Sequence, residues 1–184
     1  MADLDFKKYR WFFTSSGSLV IGGKSDSQNE EVVKDAKSHE VIVHTKEPGS
    51  PFCVIKEAIE ETNEDVKEAA TFCACLSQTW KKSKGKPIEV HVFTKQQVEK
   101  KKSMKQGTFG IKGSYDKIKI TPKLSLTFQE GVLRAVPFES DIAEINPGEM
   151  KKEQAAKIIS KKLEIPIEEV MSALPADGIQ LKWL

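Results

Sequence analysis

Nine short runs of β-branched and aromatic residues, none longer than six, punctuate this 184-residue chain at 9–14, 19–21, 41–45, 52–56, 88–93, 109–112, 118–121, 124–128 and 132–136. Runs this short and this close together constrain the fold more than any other feature. Parallel strands need a crossover of a dozen or more residues, whereas the first two runs are joined only by Ser15-Ser-Gly-Ser18. They therefore pair as an antiparallel hairpin. The turn Glu47-Pro-Gly-Ser-Pro51 separates the next two runs in the same way.

Helical signals are fewer. Ser25 with Gln28 three residues on forms a capping-box signature, and Val32, Val33 and Ala36 supply an apolar stripe behind it. A second, longer helix follows an acidic run, with Val66, Ala70, Cys73, Ser77 and Trp80 spaced three or four apart and lysines at its end that suit the helix dipole. Asn146 as cap, Pro147 in the first turn and Glu149 reaching back predict a third helix start, with Ala155, Ala156, Ile159 and Leu163 on one face. Pro166 opens a shorter helix that Pro175 closes. The expected fold is α+β: a largely antiparallel β-sheet flanked by two main helices, with a C-terminal helical hairpin appendage. The expected division is residues 1–122 as one domain, and 123–184 as an extension of two strands and a helical pair.

Charge narrows the partners. Residues 1–80 carry 9 basic and 14 acidic side chains (−5), residues 81–123 carry 13 and 3 (+10), and residues 124–184 carry 7 and 10 (−3). A net charge of +2 thus conceals a cationic middle third. At cellular salt, fields are screened beyond about 8 Å, so a local excess attracts a polyanion even on a nearly neutral molecule. Nucleic acid or ribosome surface fits such a segment. No apolar run reaches the roughly 20 residues of a membrane-spanning helix, the start of the chain lacks a secretory core, and three cysteines make no disulfide framework. The expectation is a soluble cytoplasmic protein with no membrane partner. Cys73 and Cys75 point to nearly opposite sides of a helix, so no metal is expected, nor any other cofactor.

Gly17-Ser-Leu-Val-Ile-Gly-Gly-Lys-Ser25 looks like a phosphate-binding P-loop, but five residues rather than four separate Gly17 from Gly23. Nucleotide hydrolysis is not expected. What remains is a strand, two glycines, Lys24 and a helix N-terminus, a place where one backbone phosphate fits.

The same residues belong to a longer pattern. Trp11-Phe-x-x-Ser-x-Gly17, Leu-Val-Ile-Gly-Gly-Lys24, Gln28-Asn29-Glu30-x-Val-Val-Lys34 and Val-His44 before Gly49-Ser50 resemble the opening of the NFACT-R domain. Ala74 and Ser77 before Trp80, and Gly107-Thr-Phe-Gly-Ile-Lys-Gly113, resemble its second half, so the likeness covers about residues 9–120. That resemblance implies an RNA-binding module of ribosome-associated quality-control factors, in contact with tRNA or ribosomal RNA and with the large subunit, and no catalysis. The chain has no room for the other domains of the long factors, so an ability to direct peptide tailing is not carried over. Ser114-Tyr115-Asp116 departs from the basic or amide residues of many members.

Charge and resemblance together nominate Lys24, Asn29, Lys34 and His44 beside the Gly-Gly turn, and Lys81, Lys82 and Lys84 at the end of the long helix. They add Lys100, Lys101, Lys102 and Lys105 in the polar connection, and Lys112, Tyr115 and Lys117 around the following turn, with Tyr115 as a stacking platform. The expected role is RNA binding in translation, ribosome quality control or tRNA modification, without enzymatic activity. The alternative is a protein-binding adaptor docking through the C-terminal helices or the acidic run that opens on Glu57 and closes on Glu68. An enzyme using His44 and Cys53 lacks any visible oriented base.

Overall fold

Consecutive residues of a strand point to opposite faces, and in the first strand Trp11 and Phe12 are both buried. Both faces of the first sheet are therefore covered. The computed structural model describes residues 5–56 and 62–184. The first lobe runs β1 (Arg10–Phe13), β2 (Leu19–Gly22), α1 (Asp26–Asp35), β3 (Val41–Thr45), β4 (Cys53–Lys56), α2 (Asn63–Cys75), α3 (Thr79–Ser83), β5 (Ile88–Thr94), β6 (Val98–Glu99), β7 (Gly110–Ile111) and β8 (Asp116–Ile120). Six of these strands form one sheet in the order β1-β2-β4-β3-β5-β8, with every neighbouring pair antiparallel.

On one face α2 packs through Ala69, Ala70, Phe72 and Cys73 onto Phe12, Val20, Val43, Cys53 and Val90. The Phe12 and Phe72 rings meet at 4.5 Å. On the other face α1 buries Val32 and Val33 against Trp11, Ile21, Ile42 and Val54. Each fully buried side chain of this size contributes about 1.5–3 kcal/mol. Ser25 caps α1 as its spacing predicts, its Oγ accepting from Gln28 N at 3.2 Å. Thr62 and Asp65 close a full capping box on α2.

The described part of the acidic run opens α2, with Glu64 exposed and two other carboxylates turned inward. Asp65 and Glu68 are buried and bind the β1–β2 hairpin, with Ser16 Oγ donating to Asp65 Oδ1 at 2.5 Å, Ser15 N to Glu68 Oε2 at 2.8 Å and the Ser15 hydroxyl to Glu68 Oε1. Residues 57–61 of that run, including Glu57, lie outside the described residues.

The second lobe comprises β9 (Leu124–Gln129), β10 (Val132–Val136), β11 (Ala143–Met150), α4 (Lys152–Leu163), α5 (Ile167–Ala173) and β12 (Ile179–Trp183). Its antiparallel sheet has the order β10-β9-β11-β12, and α4 and α5 cover it as a helical hairpin. Two sequence readings change here. Asn146 and Pro147 lie in β11, paired with Gln180 and Ile179 of β12, so they do not start a helix. That strand is bulged between Pro147 and Met150, and α4 begins at Lys152, whose N–H donates to Asp177 Oδ1 at 2.8 Å. Asp177 supplies from 25 residues away the cap that Asn146 was expected to give. The extension thus has four strands rather than two, because β12 is too short and too interrupted by polar residues to announce itself.

The long helix expected through Trp80 is also two helices. The chain turns at Leu76–Gln78, where Ser77 Oγ donates to Ala74 O at 2.7 Å and Gln78 N to Gly49 O at 3.0 Å. The turn carries Trp80 off the first core and into the second. There it is fully buried and donates Nε1–H to Gly178 O at 2.9 Å. Cys73 and Cys75, two residues apart, consequently belong to different cores. The lobes also meet at the sheet edge, where the Gln129 amide donates to Phe13 O and accepts from Phe13 N, both at 2.8 Å. An edge strand presents unpaired backbone groups, and this side chain satisfies one residue of them.

Candidate nucleic-acid interface

The Gly22-Gly23 pair is explained by close approach. A Cβ at Gly22 would sit 2.8 Å from Cys53 Sγ, and one at Gly23 would sit 2.6 Å from Asn29 N. The two glycines let the first turn of α1 settle against β2 and β4. In that seat Asn29 is buried and its Oδ1 accepts from Phe52 N at 3.1 Å. Its Nδ2 is left without a protein acceptor among the described residues.

Across from Asn29 lies the β3–β4 turn. Ser50 Oγ accepts from Thr45 N at 3.1 Å and Thr45 Oγ1 donates to Glu47 O at 2.6 Å, which fixes the turn. His44, at the end of β3, stacks on Phe52 with centroids 4.2 Å apart and planes 28° apart. Its Nδ1 lies 2.7 Å from Thr45 O, a carbonyl that can only accept, so Nδ1 carries the proton and Nε2 presents a lone pair. Burial pulls the His44 pKa down to about 4, against which the Thr45 bond works only partly. The ring is neutral at neutral pH.

The third wall is the loop between β6 and β7. Lys100 Nζ binds Glu30 and donates to the carbonyls of Lys105 at 2.7 Å and Thr108 at 2.9 Å, and it lies 4.9 Å from the Phe109 ring centroid. Glu30 also accepts from Gly107 N at 2.8 Å. Desolvation opposes its ionisation, yet the bonds from Lys100 and Gly107 hold it below the usual carboxylate range. Gly107, at φ +76°, passes so close to Asp26 that a Cβ would meet it at 2.9 Å.

These walls enclose an open cleft of about 470 Å³ over the α1 face of the sheet. Phe52 and Phe109 pack edge to face at 5.1 Å in its lining, with His44, His91, Asn29 and, among basic residues, Lys46 and Lys105. Strand register extends the surface: His44 pairs with His91 and His91 with Lys117, while Glu89 in the next row pairs with Lys119. Directly paired residues share a face, so Lys117 and Lys119 continue the cleft as a basic shoulder. His91 Nε2 lies 3.1 Å from Glu89 Oε1, and Tyr115 packs against His91 at 5.0 Å.

The predicted residues separate into groups. Asn29, His44 and Lys105 line the cleft, and Tyr115 and Lys117 adjoin it through His91. Lys101 and Lys112 stand 3.8 and 3.9 Å from Glu99, and Lys102 and Lys34 are exposed. Lys100 is engaged inside the loop that it was expected to project from. Lys24 borders a different cavity with Arg134. Lys81, Lys82 and Lys84 belong to α3, which lies against β11, with the Lys81 chain running over Gly178. The lysine-rich segment is therefore not one surface, because a helix, a loop and a strand carry it to different parts of the molecule. Sequence reasoning passed over Lys46, Phe52 and Phe109. The signal for them was adjacency to the Pro-Gly turn and to the Gly107–Gly113 motif.

Fold and site define an α+β module whose sheet carries a basic, aromatic-lined cleft, the combination by which single-stranded nucleic acid is held. The family model of the NFACT protein RNA binding domain matches residues 8–113, and the chain belongs to this family. Among curated proteins it is 28% identical to the archaeal Rqc2 homolog aRqcH of Methanocaldococcus jannaschii over 200 aligned residues, 96% of this chain and 29% of that protein. It is 36% identical to the ribosome quality control complex subunit NEMF of mouse and of human over 78 residues, 41% of this chain and 7% of each relative. The chain thus spans less than a third of the length of these relatives. The C-terminal part of the fibronectin/fibrinogen-binding protein from Streptococcus suis shares the fold, with a TM-score of 0.57 at 22% identity over 62% of this chain and 45% of that one. Among the described residues no helix is long and apolar enough to cross a membrane.

Proposed function

We propose that the protein binds RNA through the cleft on the α1 face, in the setting of ribosome quality control that its relatives' names carry, with tRNA or ribosomal RNA as the ligand. The observation that carries this reading is the convergence on one sheet face of an aromatic lining and unpaired lysines. Lys46, Lys105, Lys117 and Lys119 meet phosphates, which supplies affinity with little regard to sequence. An unpaired nucleotide enters between the His44–Phe52 stack and Phe109, where the Asn29 Nδ2 donor and the His44 Nε2 acceptor meet its edge. In this reading Lys46 joins the contacts, while Lys24, beside Arg134, and Lys100, tied to Glu30, do not.

Fluorescence polarisation with labelled tRNA, a ribosomal RNA fragment, a single strand and a perfect duplex tests the reading. Looped or single-stranded RNA is expected to outcompete the duplex. Loss of one stacked base costs about 1–3 kcal/mol, so His44→Ala is expected to weaken single-strand binding by roughly 5- to 150-fold. Equal affinity for duplex and single strand, unchanged by His44→Ala, would remove the cleft from the mechanism.

A further inference from the structure

A second concentration of positive charge lies where the two lobes meet, away from the cleft. Lys7, Trp11 and Lys24 of the first lobe and Arg134, Glu169 and Ser172 of the second line a cavity of about 150 Å³. Arg134 is only 7% exposed. Its guanidinium carbon stands 4.8 Å from the Trp11 ring centroid, and it donates through Nε to Leu133 O at 2.6 Å and through Nη2 to Ser172 Oγ at 3.0 Å. Those two bonds leave three of its five N–H groups unassigned. Arg10 lines a small adjoining void with Trp11, Arg134 and Ser172, and its side chain has no acidic partner among the described residues.

The charge here does not balance. Glu169 is the sole carboxylate in the lining, and its Oε1 already accepts from Leu133 N at 2.7 Å. Desolvation lowers the pKa of all three cations, Arg134 to about 10; repulsion from Arg10 adds to it at Lys24 and Arg134, and Glu169 opposes it at Arg134. Burying cations without an anion is costly, and native structures offset such charge with a partner. Among the described residues Glu169 is the one carboxylate facing buried Arg134, and with Lys7 and Lys24 at the cavity and Arg10 beside it the positive charge stays in excess.

We propose that this junction cavity is a phosphoryl-binding site, in which Arg134 and Lys24 hold the anion and Ser172, whose Oγ accepts from Arg134 and gives its own proton to Glu169 O, fixes the guanidinium for it. The planar fork of Arg134 suits two phosphoryl oxygens at once. The site uses residues on both sides of the lobe boundary, and Arg134, Glu169 and Ser172 all lie beyond the 8–113 family match. It gives the extension a ligand of its own and does not depend on the cleft.

The full chain is titrated with inorganic phosphate by calorimetry and thermal unfolding, against chloride at equal ionic strength. Saturable binding and a raised midpoint are expected, with at least a tenfold loss of affinity in Lys24→Ala and in Ser172→Ala. Both changes are mild enough to leave the fold intact, whereas Arg134 variants risk unfolding. The double variant Lys46→Ala, Lys105→Ala is expected to retain the phosphate response, which separates this site from the cleft. In that double variant, a 5′-phosphorylated hexanucleotide binding tighter than its 5′-hydroxyl counterpart assigns the site to an RNA end, and equal binding of the two assigns it to free phosphate. No response beyond chloride, or an equal response in Lys24→Ala and Ser172→Ala, overturns the proposal.

Discussion

Removing two lysines from the cleft face discriminates sharply between those that meet RNA and those that hold the protein together. Four lysines on that face, Lys46, Lys105, Lys117 and Lys119, are exposed or line the cleft and have no salt bridge or hydrogen bond through Nζ among the described residues. Each phosphate contact on a single strand contributes about 0.7 to the slope of log affinity against log salt. Four contacts give a slope near −2.8, a loss of roughly fiftyfold between 50 and 200 mM salt. Lys46→Ala with Lys105→Ala is expected to halve the slope to about −1.4, a loss of roughly sevenfold over the same range. Lys100→Ala is the contrasting variant. Its ammonium is held by Glu30 and two carbonyls, so the slope should stay near −2.8 while the loop loses protection from hydrogen exchange. Filter binding across a salt series reads the slope directly. A slope that falls by about 0.7 in Lys100→Ala and not at all in the double variant would refute the division between bound and free lysines.

Two further outcomes follow from the packing. The His44 pKa of about 4 against an ordinary 6.5 means that the unfolded state takes up the proton first, so the contribution of this group is fully present above about pH 6.5 and lost as pH falls toward 4. At about 1.4 kcal/mol per pKa unit the loss is roughly 2–3 kcal/mol, and urea midpoints of wild type and His44→Phe should converge across that window; parallel curves would refute it. Trp80→Ala is expected to cost about 3–5 kcal/mol, and Trp80→Phe about 0.5–1.5 kcal/mol because Gly178 O loses one of its two donors and keeps Gly148 N. Both lobes should melt in one transition, and a separate early melting of the second lobe would show that Trp80 does not couple them.

How far the site was legible can be judged from a few residues. Ser25 and Gln28, and the stripe of Val32 and Val33, announced α1 because a cap and a 3.6-residue period are local properties. The Gly-Gly turn was equally visible, although its reason, the approach of Asn29, was not. Lys100 and Lys105 are equivalent as letters in a basic run, and only the 70-residue reach to Glu30 separates the tied lysine from the free one. Asn146 carried a genuine cap signature, yet pairing with β12 outweighed it, since strand partners 34 residues apart leave no mark on the local pattern.

The lysine-rich middle third shows the division most plainly. The sequence alone determined that the chain alternates short strands with few helices, that it folds as an antiparallel α+β module of the NFACT-R family, and that a local cationic excess awaits a polyanion. Periodicity, caps and charge are written residue by residue, so they survive without coordinates. The tertiary structure alone decided which cations share a surface. It placed Lys46 and Lys105 over the aromatic cleft, moved Lys24 to a cavity with Arg134, turned Trp80 into the second core and withdrew Lys100 into a loop. Those outcomes rest on contacts between residues tens of positions apart, whose geometry is fixed by sheet register and burial rather than by any neighbour in the chain.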